Sequence, residues 1–355
     1  MIIPHNKPYT SKNTYESVKN VLTSGWINYG DISKKVEKKL SKLVYHKRKN
    51  MILTSNGSSG LYLALKALKI KDGDEVIIPS YTCTAVLNAV KLANAIPVIC
   101  DVSIDNLSFT EDIIKQYITT KTKAIIIVHT FGIPCEIEEI QKFGIPIIED
   151  CSQSLGSFFK DGTHTGSKGD LSVFSFYATK MLTGGIGGAV GSKDVNIMNF
   201  LNDYINFDMP KTYKERFNFQ ISDINSAVIL SGLKDLNKIL KKKEKIAKAY
   251  EKLIYSKYNS IIGINNYRYL LKFGNNKDLK RFKEYLDLKG IKSIIPIENF
   301  ELLHNYLKIN DNNFKNSESL SKTILSIPIY SELKNKEIIY IKRNINDYFS
   351  TSTSL

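Results

Sequence analysis

Arginine is scarce in this chain. Arg48, Arg216, Arg268, Arg281 and Arg343 are the five among 355 residues, so the formal net charge of +15 is a surplus of lysine. Arginine is the usual reader of bases and phosphates in nucleic acids. No helix-turn-helix, zinc-finger or RNA-binding signature accompanies the charge, so nucleic acid is not an expected partner. The basic run Lys241-Lys-Lys-Glu-Lys245 lies within an apolar helical pattern, Leu233, Leu236, Ile239, Leu240, Ile246 and Tyr250. It reads as the solvated face of an amphipathic helix. The positive field would still draw an anionic substrate.

Cysteine is equally sparse. Cys83, Cys100, Cys135 and Cys151 show no Cys-x-x-Cys or zinc-ligand spacing, and each follows or ends an apolar segment. They read as reduced thiols of a cytoplasmic protein, with no disulfide framework and no metal. No apolar run is long enough to cross a bilayer, so no membrane association is expected. The start, Met1-Ile-Ile-Pro-His-Asn-Lys, has no signal-peptide apolar core. Hydrophobic content of 43% and charged content of 24% suit a globular chain large enough for a substantial core.

Short apolar runs alternate with helical patterns between residues 50 and 190. Val76–Pro79, Ile96–Cys100, Ala124–Val128, Ile145–Glu149 and Val173–Tyr177 predict an α/β fold with a mostly parallel sheet covered on both faces. Ala189-Val-Gly191 extends the sheet. Residues 1–45 read as a helical arm. A helix over about 222–255 would lead into a small α+β unit, with strands at Tyr267–Phe273 and Ile291–Ile297 and a last helix after Ser331. The expected division is 1–235 and 236–355. Asn310–Asn316 reads as a surface loop and Ser350–Leu355 as a frayed tail.

Three segments carry chemistry. The β-rich run Ser172-Val-Phe-Ser-Phe-Tyr-Ala-Thr-Lys180 ends in a lysine and meets the glycines of Met181-Leu-Thr-Gly-Gly-Ile-Gly-Gly188. A desolvated lysine beside a glycine-lined space suits Schiff-base chemistry, since the amine must become neutral and glycines admit a flat ligand. Alone, the lysine reads equally as one snorkelling to solvent. Upstream, Ile145-Pro-Ile-Ile-Glu-Asp150-Cys-Ser-Gln153 delivers Asp150 at a strand's C-terminal end, where open α/β sheets bind ligands. Pyridoxal phosphate needs such a carboxylate at its ring nitrogen. Gln153 is placed to bond the ring hydroxyl. Finally, Met51-Ile-Leu-Thr-Ser-Asn-Gly-Ser58-Ser59-Gly60 opens an apolar helix, and free N–H groups with hydroxyls there can cradle phosphate. It matches neither G-x-x-x-x-G-K-[ST] nor G-x-G-x-x-G.

The sequence resembles the DegT/StrS group of fold-type-I, pyridoxal-phosphate-dependent sugar aminotransferases. Carrying the resemblance are Gly25-Trp-Ile-Asn-Tyr-Gly30, Asn56-Gly-Ser-Ser-Gly-Leu, Gly73-Asp-Glu-Val-Ile-Ile-Pro-Ser-Tyr-Thr82, Val128-His-Thr-Phe-Gly132, Glu149-Asp-Cys-Ser-Gln-Ser-Leu-Gly156, Gly169-Asp-Leu-Ser-Val-Phe-Ser-Phe-Tyr177, Lys180 and Phe217-Asn-Phe-Gln-Ile-Ser-Asp-Ile-Asn-Ser-Ala227. It runs in register over about residues 1–255 and more loosely beyond.

The resemblance implies that Lys180 carries the cofactor and shuttles the proton, that Asp150 pairs with the ring nitrogen, and that Gln153 bonds the ring oxygen. Ser58, Ser59 and Ser175 would hold the phosphate. Asn218 would reach it from the partner subunit, so that two copies share each active site in a homodimer. Cys83 stands where relatives often place an aromatic ring over the cofactor, and Tyr81 is an alternative cover. His129 and His304 match or approach substrate-facing positions, although His129 reads equally as a structural histidine. Trp26 and Tyr29 either line the substrate mouth or, for Trp26, belong to the core.

The implied reaction moves an amino group from L-glutamate to a keto-sugar, nucleotide-linked, for surface polysaccharide or glycoconjugate synthesis. A C-terminal part that reads as short for a nucleotide-sugar enzyme leaves a small phosphorylated ketone open as acceptor. A sugar dehydratase of the same fold is disfavoured by Lys180, where deoxygenating relatives carry histidine. A non-catalytic binding protein is disfavoured because nothing structural requires Lys180, Asp150 and Gln153 together.

Overall fold

The computed structural model describes residues 1–47, 49–208, 210–251, 260–309 and 312–352. Seven strands build the central sheet: β1 (Met51–Thr54), β2 (Glu75–Pro79), β3 (Ile96–Cys100), β4 (Thr122–Val128), β5 (Ile147–Asp150), β6 (Leu171–Ser175) and β7 (Gly188–Ser192). Their spatial order is β1-β7-β6-β5-β4-β2-β3. The β3–β2, β2–β4, β4–β5 and β5–β6 pairs are parallel, while β7 runs antiparallel to both β6 and β1.

Strand alternation divides the apolar side chains between two covered faces. On one face Val76, Ile78, Ala124, Ile126 and Ile148 pack with the helices α3 (Gly57–Ala67) and α4 (Thr84–Leu92). On the other, Ile77, Ile125, Ile127 and Ile147 pack with Phe109, Ile114 and Phe159. The arm is α1 (Lys12–Ser24) and α2 (Asp31–Tyr45).

The C-terminal part has its own antiparallel sheet, ordered β10-β9-β8, from β8 (Ser260–Ile262), β9 (Tyr269–Lys272) and β10 (Ile324–Ile327). Its core includes Tyr250, Tyr269, Phe282 and Ile341. Two expectations are corrected. The helix expected over 222–255 is two helices, Asp223–Lys234 and Leu236–Glu251, broken at Asp235. Ile291–Ile297 makes only isolated bridges, from Ile291 to Ile3 and from Ile294 to Ser326. Pro296 removes a ladder donor there, and Ile324–Ile327 takes the place beside β9 instead. Asn312–Phe314 forms a 3₁₀ turn and Lys315–Thr323 a helix, so most of the expected Asn310–Asn316 loop is ordered turn. Positions 310 and 311 lie outside the described residues. The last helix, Asn335–Ser352, takes in the first residues of the expected tail, of which 353–355 are likewise outside.

Asp223 locks the arm onto the sheet domain. Its Oδ1 accepts from Gly30 N–H (3.0 Å), Ser33 N–H (2.8 Å) and Ser33 Oγ (2.6 Å), and its Oδ2 from Ile32 N–H (3.1 Å). One buried carboxylate thereby satisfies the orphan donors at the start of α2, where the helix dipole favours a negative charge. Asp223→Ala leaves those donors buried and unmade. It is expected to cost about 2–4 kcal/mol in urea unfolding; a loss under 0.5 kcal/mol would show that the arm is held by apolar packing alone.

Candidate active site

The parallel strands end together, and the sequence-marked residues gather at that edge. Asp150 is the last residue of β5 and is buried. Its Oδ1 accepts the Ser152 N–H (2.9 Å), while among the described residues Oδ2 has no hydrogen-bond partner. Cys83 caps the start of α4, just after β2. Its side chain reaches solvent, yet protein crowds it closely. Burial first, and the Asp150 charge second, push its thiol pKa up, while the Lys180 charge pulls it down. Cys83 therefore lies within the fields of both residues.

Lys180 does not stand at a strand end. β6 stops at Ser175, and Lys180 closes a turn by donating its N–H to Tyr177 O (2.9 Å). The glycine segment then folds back, with Phe176 N–H to Gly187 O and Gly184 N–H to Phe176 O, both 2.8 Å. The Lys180 ammonium is 5.9 Å from the centre of the Tyr267 ring.

Gln153 has a defined orientation. Its Oε1 accepts the Phe131 N–H at 2.9 Å, which leaves the side-chain NH₂ as a free donor among the described residues. Asn265 fixes the same loop by donating to Gln153 O (2.9 Å) and Leu155 O (3.1 Å). Gly132 admits it: a Cβ there would sit 1.9 Å from Asn265 Oδ1. Asn265 carried no sequence signal, because its partners are more than a hundred residues away.

At the start of α3, Asn56 caps the helix. Its Oδ1 accepts from both Ser59 N–H (2.8 Å) and Ser59 Oγ (3.1 Å). Ser59, expected to hold phosphate, is thus engaged with the cap, a role that Asn before Gly-Ser-Ser could have signalled. The N–H groups of Gly57 and Ser58 have no acceptor among the described residues, and Ser58 is exposed. Ser175 lies against this turn, since a Cβ on Gly57 would meet its Cβ at 3.0 Å and Oγ at 3.3 Å. From beneath, Gly188 lets β7 press on the turn: a Cβ there would fall 2.4 Å from the Asn56 carbonyl carbon and oxygen.

The structure moves other candidates away. His129 is wholly buried; its Nε2 donates to Glu149 Oε2 (2.8 Å) and its Nδ1 accepts the Cys135 N–H (3.0 Å), so both ring nitrogens serve the fold. His304 is buried between the two parts of the chain, with Nδ1 2.6 Å from Ser80 Oγ and its ring stacked on Phe314 at 4.1 Å. Both rings are buried. Tyr81 is buried edge-on to Phe131 at 6.2 Å. Trp26 is no core residue, being 65% exposed. With Tyr29 it lines a groove of about 870 Å³ between the arm and helix Asp223–Lys234, which neither Lys180 nor Asp150 reaches. Tyr29 donates to Glu37 (2.6 Å). Asn218 is exposed, its Oδ1 accepting Gln220 N–H (3.2 Å), and neighbouring Phe219 O accepts Ser55 N–H (2.7 Å) beside the α3 turn.

The DegT/DnrJ/EryC1/StrS aminotransferase family model matches residues 8–346. The chain belongs to this family. GDP-perosamine synthase of Escherichia coli O157:H7 is 29% identical over 366 aligned residues, covering 98% of this chain and 99% of that protein. Among solved structures, the Helicobacter pylori aminotransferase PseC, involved in the biosynthesis of pseudoaminic acid, superposes with a TM-score of 0.90 at 22% identity, over 99% of this chain and 100% of that one. The PLP form of the sugar aminotransferase Spr1654 from Streptococcus pneumoniae gives 0.88 at 23% identity, over 98% of each chain. These likenesses establish the fold-type-I architecture.

The enzyme is a pyridoxal-phosphate-dependent aminotransferase, and its residues fit that cofactor. An amine, a carboxylate oxygen, an amide donor and two helix-start N–H groups without protein partners converge on one edge of the sheet. Gly188→Ala should drive α3 from its seat. We expect the concentration of pyridoxal phosphate for half-saturation to rise roughly tenfold or more, as overpacking costs about 1–3 kcal/mol. Unchanged affinity in a fluorescence titration would mean that the turn does not hold the phosphate.

Proposed function

We propose that this aminotransferase moves the amino group of L-glutamate onto the ketone of a nucleotide-linked sugar, for surface polysaccharide or glycoconjugate synthesis. The observation that carries the reading is Asp150 at the C-terminal end of β5 with a free Oδ2, beside a Cys83 thiol whose pKa its charge raises and the Lys180 charge lowers. GDP-perosamine synthase, matched from end to end, supports the nucleotide-linked acceptor. It also removes the apparent shortness of the C-terminal part as an argument for a smaller ketone.

When bound, pyridoxal phosphate supplies an electron sink for the carbon that carries the amino group. In this reading Asp150 Oδ2 pairs with the ring nitrogen and keeps it protonated. The Gln153 amide donates to the ring oxygen. Gly57 and Ser58 N–H groups, with the Ser58 and Ser175 hydroxyls, hold the phosphate, and Ser59 supports the turn through Asn56. Cys83 lies against the ring without stacking on it. Lys180 Nζ would take the proton from the substrate carbon and return it to the carbon on the far side of the shared nitrogen, in both directions of the exchange.

We assign residues 1–235 to the cofactor-binding unit and 236–355 to the smaller one, and place the enzyme in the cytoplasm. No described helix is long and apolar enough to cross a membrane. We further propose a homodimer in which Asn218 of one copy completes the other's phosphate site. Tyr213, 97% exposed, and the exposed Phe217 flank Asn218, and exposed rings clustered on one segment favour burial by a second copy.

Protein loaded with pyridoxal phosphate should show a band near the visible edge that shifts to the ultraviolet on adding L-glutamate. Lys180→Ala should bind the cofactor only non-covalently and lose transamination by at least roughly a thousandfold, the scale of a lost proton shuttle and nucleophile together. A variant that keeps full turnover would sink the assignment.

A further inference from the structure

The first residues of the chain cross the molecule as a strap. Ile3 is wholly buried in the C-terminal part. Its N–H donates to Gly290 O (2.8 Å), and its carbonyl accepts the Lys292 N–H (3.0 Å). Gly290 admits the chain there, since a Cβ would fall 2.3 Å from Met1 O. At the other end, Tyr9 donates to Asp235 (2.9 Å), at the break between the helices Asp223–Lys234 and Leu236–Glu251. Ser11 and Thr14 meet the Ser231 hydroxyl at 3.0 and 2.9 Å. The strap is thus fastened at both ends, and Pro4 and Pro8 stiffen the backbone between the fastenings.

Midway, one side chain reaches the turn that carries Lys180. Asn6 Nδ2 donates to Thr179 O (2.9 Å). Its Oδ1 accepts the Lys7 N–H (2.8 Å), which settles the way the amide points. Thr179 O belongs to the planar peptide group that joins Thr179 to Lys180. The tilt of that plane sets the direction in which the lysine side chain leaves the backbone.

This peptide needs an outside hold. β6 ends at Ser175, and both Tyr177 and Thr179 are exposed. The bond from Lys180 N–H to Tyr177 O lies within the turn and moves with it. Among the described residues, the other donor to Thr179 O is Tyr267 Oη at 3.5 Å, the limit of a hydrogen bond. Charge opposes the position as well. Lys180 Nζ, Lys243 Nζ and the Arg268 guanidinium carbon lie 5.9, 5.8 and 5.4 Å from the centre of the same Tyr267 ring. Like charges gathered so closely repel. A lysine on an exposed turn stays among them only if its backbone is tied.

Resting on the aminotransferase reading above, we propose that Asn6 is a positioning residue for Lys180. By fixing the 179–180 peptide from a strap anchored at both ends, it holds the amine where both proton transfers take place. Asn6 acts through the lysine and not on a substrate. Its effect is therefore common to the donor and acceptor halves of the reaction.

Asn6→Leu keeps the approximate shape of the side chain and donates nothing; Asn6→Ala checks it. In the loaded enzyme, loss of the visible-edge band at saturating L-glutamate should slow roughly 10- to 100-fold, the scale of a reacting group misplaced by an ångström. The L-glutamate concentration for half-maximal rate should stay within about twofold. The acceptor half, followed with a nucleotide keto-sugar, should slow by the same factor. In the cofactor-free protein, hydrogen exchange of the amides of 177–182 should quicken in both variants while the urea midpoint stays put. Wild-type rates in both variants overturn the proposal. So does a raised half-maximal concentration at an unchanged maximal rate, which would put Asn6 on the substrate. So does slower turnover with a lowered urea midpoint and faster exchange throughout the C-terminal part, the mark of a strap that serves stability alone. A wild-type band that ignores L-glutamate defeats the aminotransferase reading, whereas unchanged exchange at 177–182 defeats the tie itself, whatever the reaction.

Discussion

The catalytic edge depends on a buried carboxylate that does no chemistry. Glu149 is wholly buried and accepts from His129 Nε2 and from the backbone N–H groups of Gly166, Lys168 and Gly169. A carboxylate in so dry a place survives only with such full coordination. The consequence is positional. Glu149 ties the loop before β6 to the end of β5, and strand alternation turns the next residue, Asp150, to the other face. One residue serves the fold and its neighbour is left free for a cofactor. A shift of one in register would exchange them.

A second constraint acts from the opposite end of the sheet order. β7 is the reversed strand, inserted between β6 and β1, so it touches both the Ser175 and the Thr54 ends. Its first residue lies under Asn56 and Gly57 at a distance only glycine allows. Ser175 and the α3 turn are brought together by this strand, although about 120 residues separate them in sequence. The proposed phosphate cradle would therefore be a property of topology as much as of the Ser-rich motif.

The sheet was legible because its strands are short, apolar and bounded by turns, and because both faces are covered. Asp150 and Ser175 end β5 and β6, and Gln153 and Cys83 follow soon after the ends of β5 and β2. The failures share a cause. Ile291–Ile297 has a strand's composition, but Pro296 and the competing Ile324–Ile327 are settled by tertiary pairing. His129 and His304 have the residue type of a site, yet each is buried against a partner, Glu149 or Ser80, that local sequence does not reveal. A hydroxyl near a helix start suits a phosphate and a cap equally, and Ser59 is engaged with the Asn56 cap. Asn265 and Arg268 were silent because their meaning lies in which distant residues they meet.

The composition can now be reread in terms of place. Most of the lysine surplus is solvated and sets only a diffuse field, which screening weakens beyond about 10 Å. The cations around Tyr267 differ in kind, since low surrounding polarity magnifies each charge and, among the described residues, the cavity they line has no Asp or Glu in its wall. Arginine, rare in the chain, is spent at this point. The sheet domain provides a recess suited to a ring and its phosphate, and the C-terminal part closes over Lys180 with unbalanced positive charge.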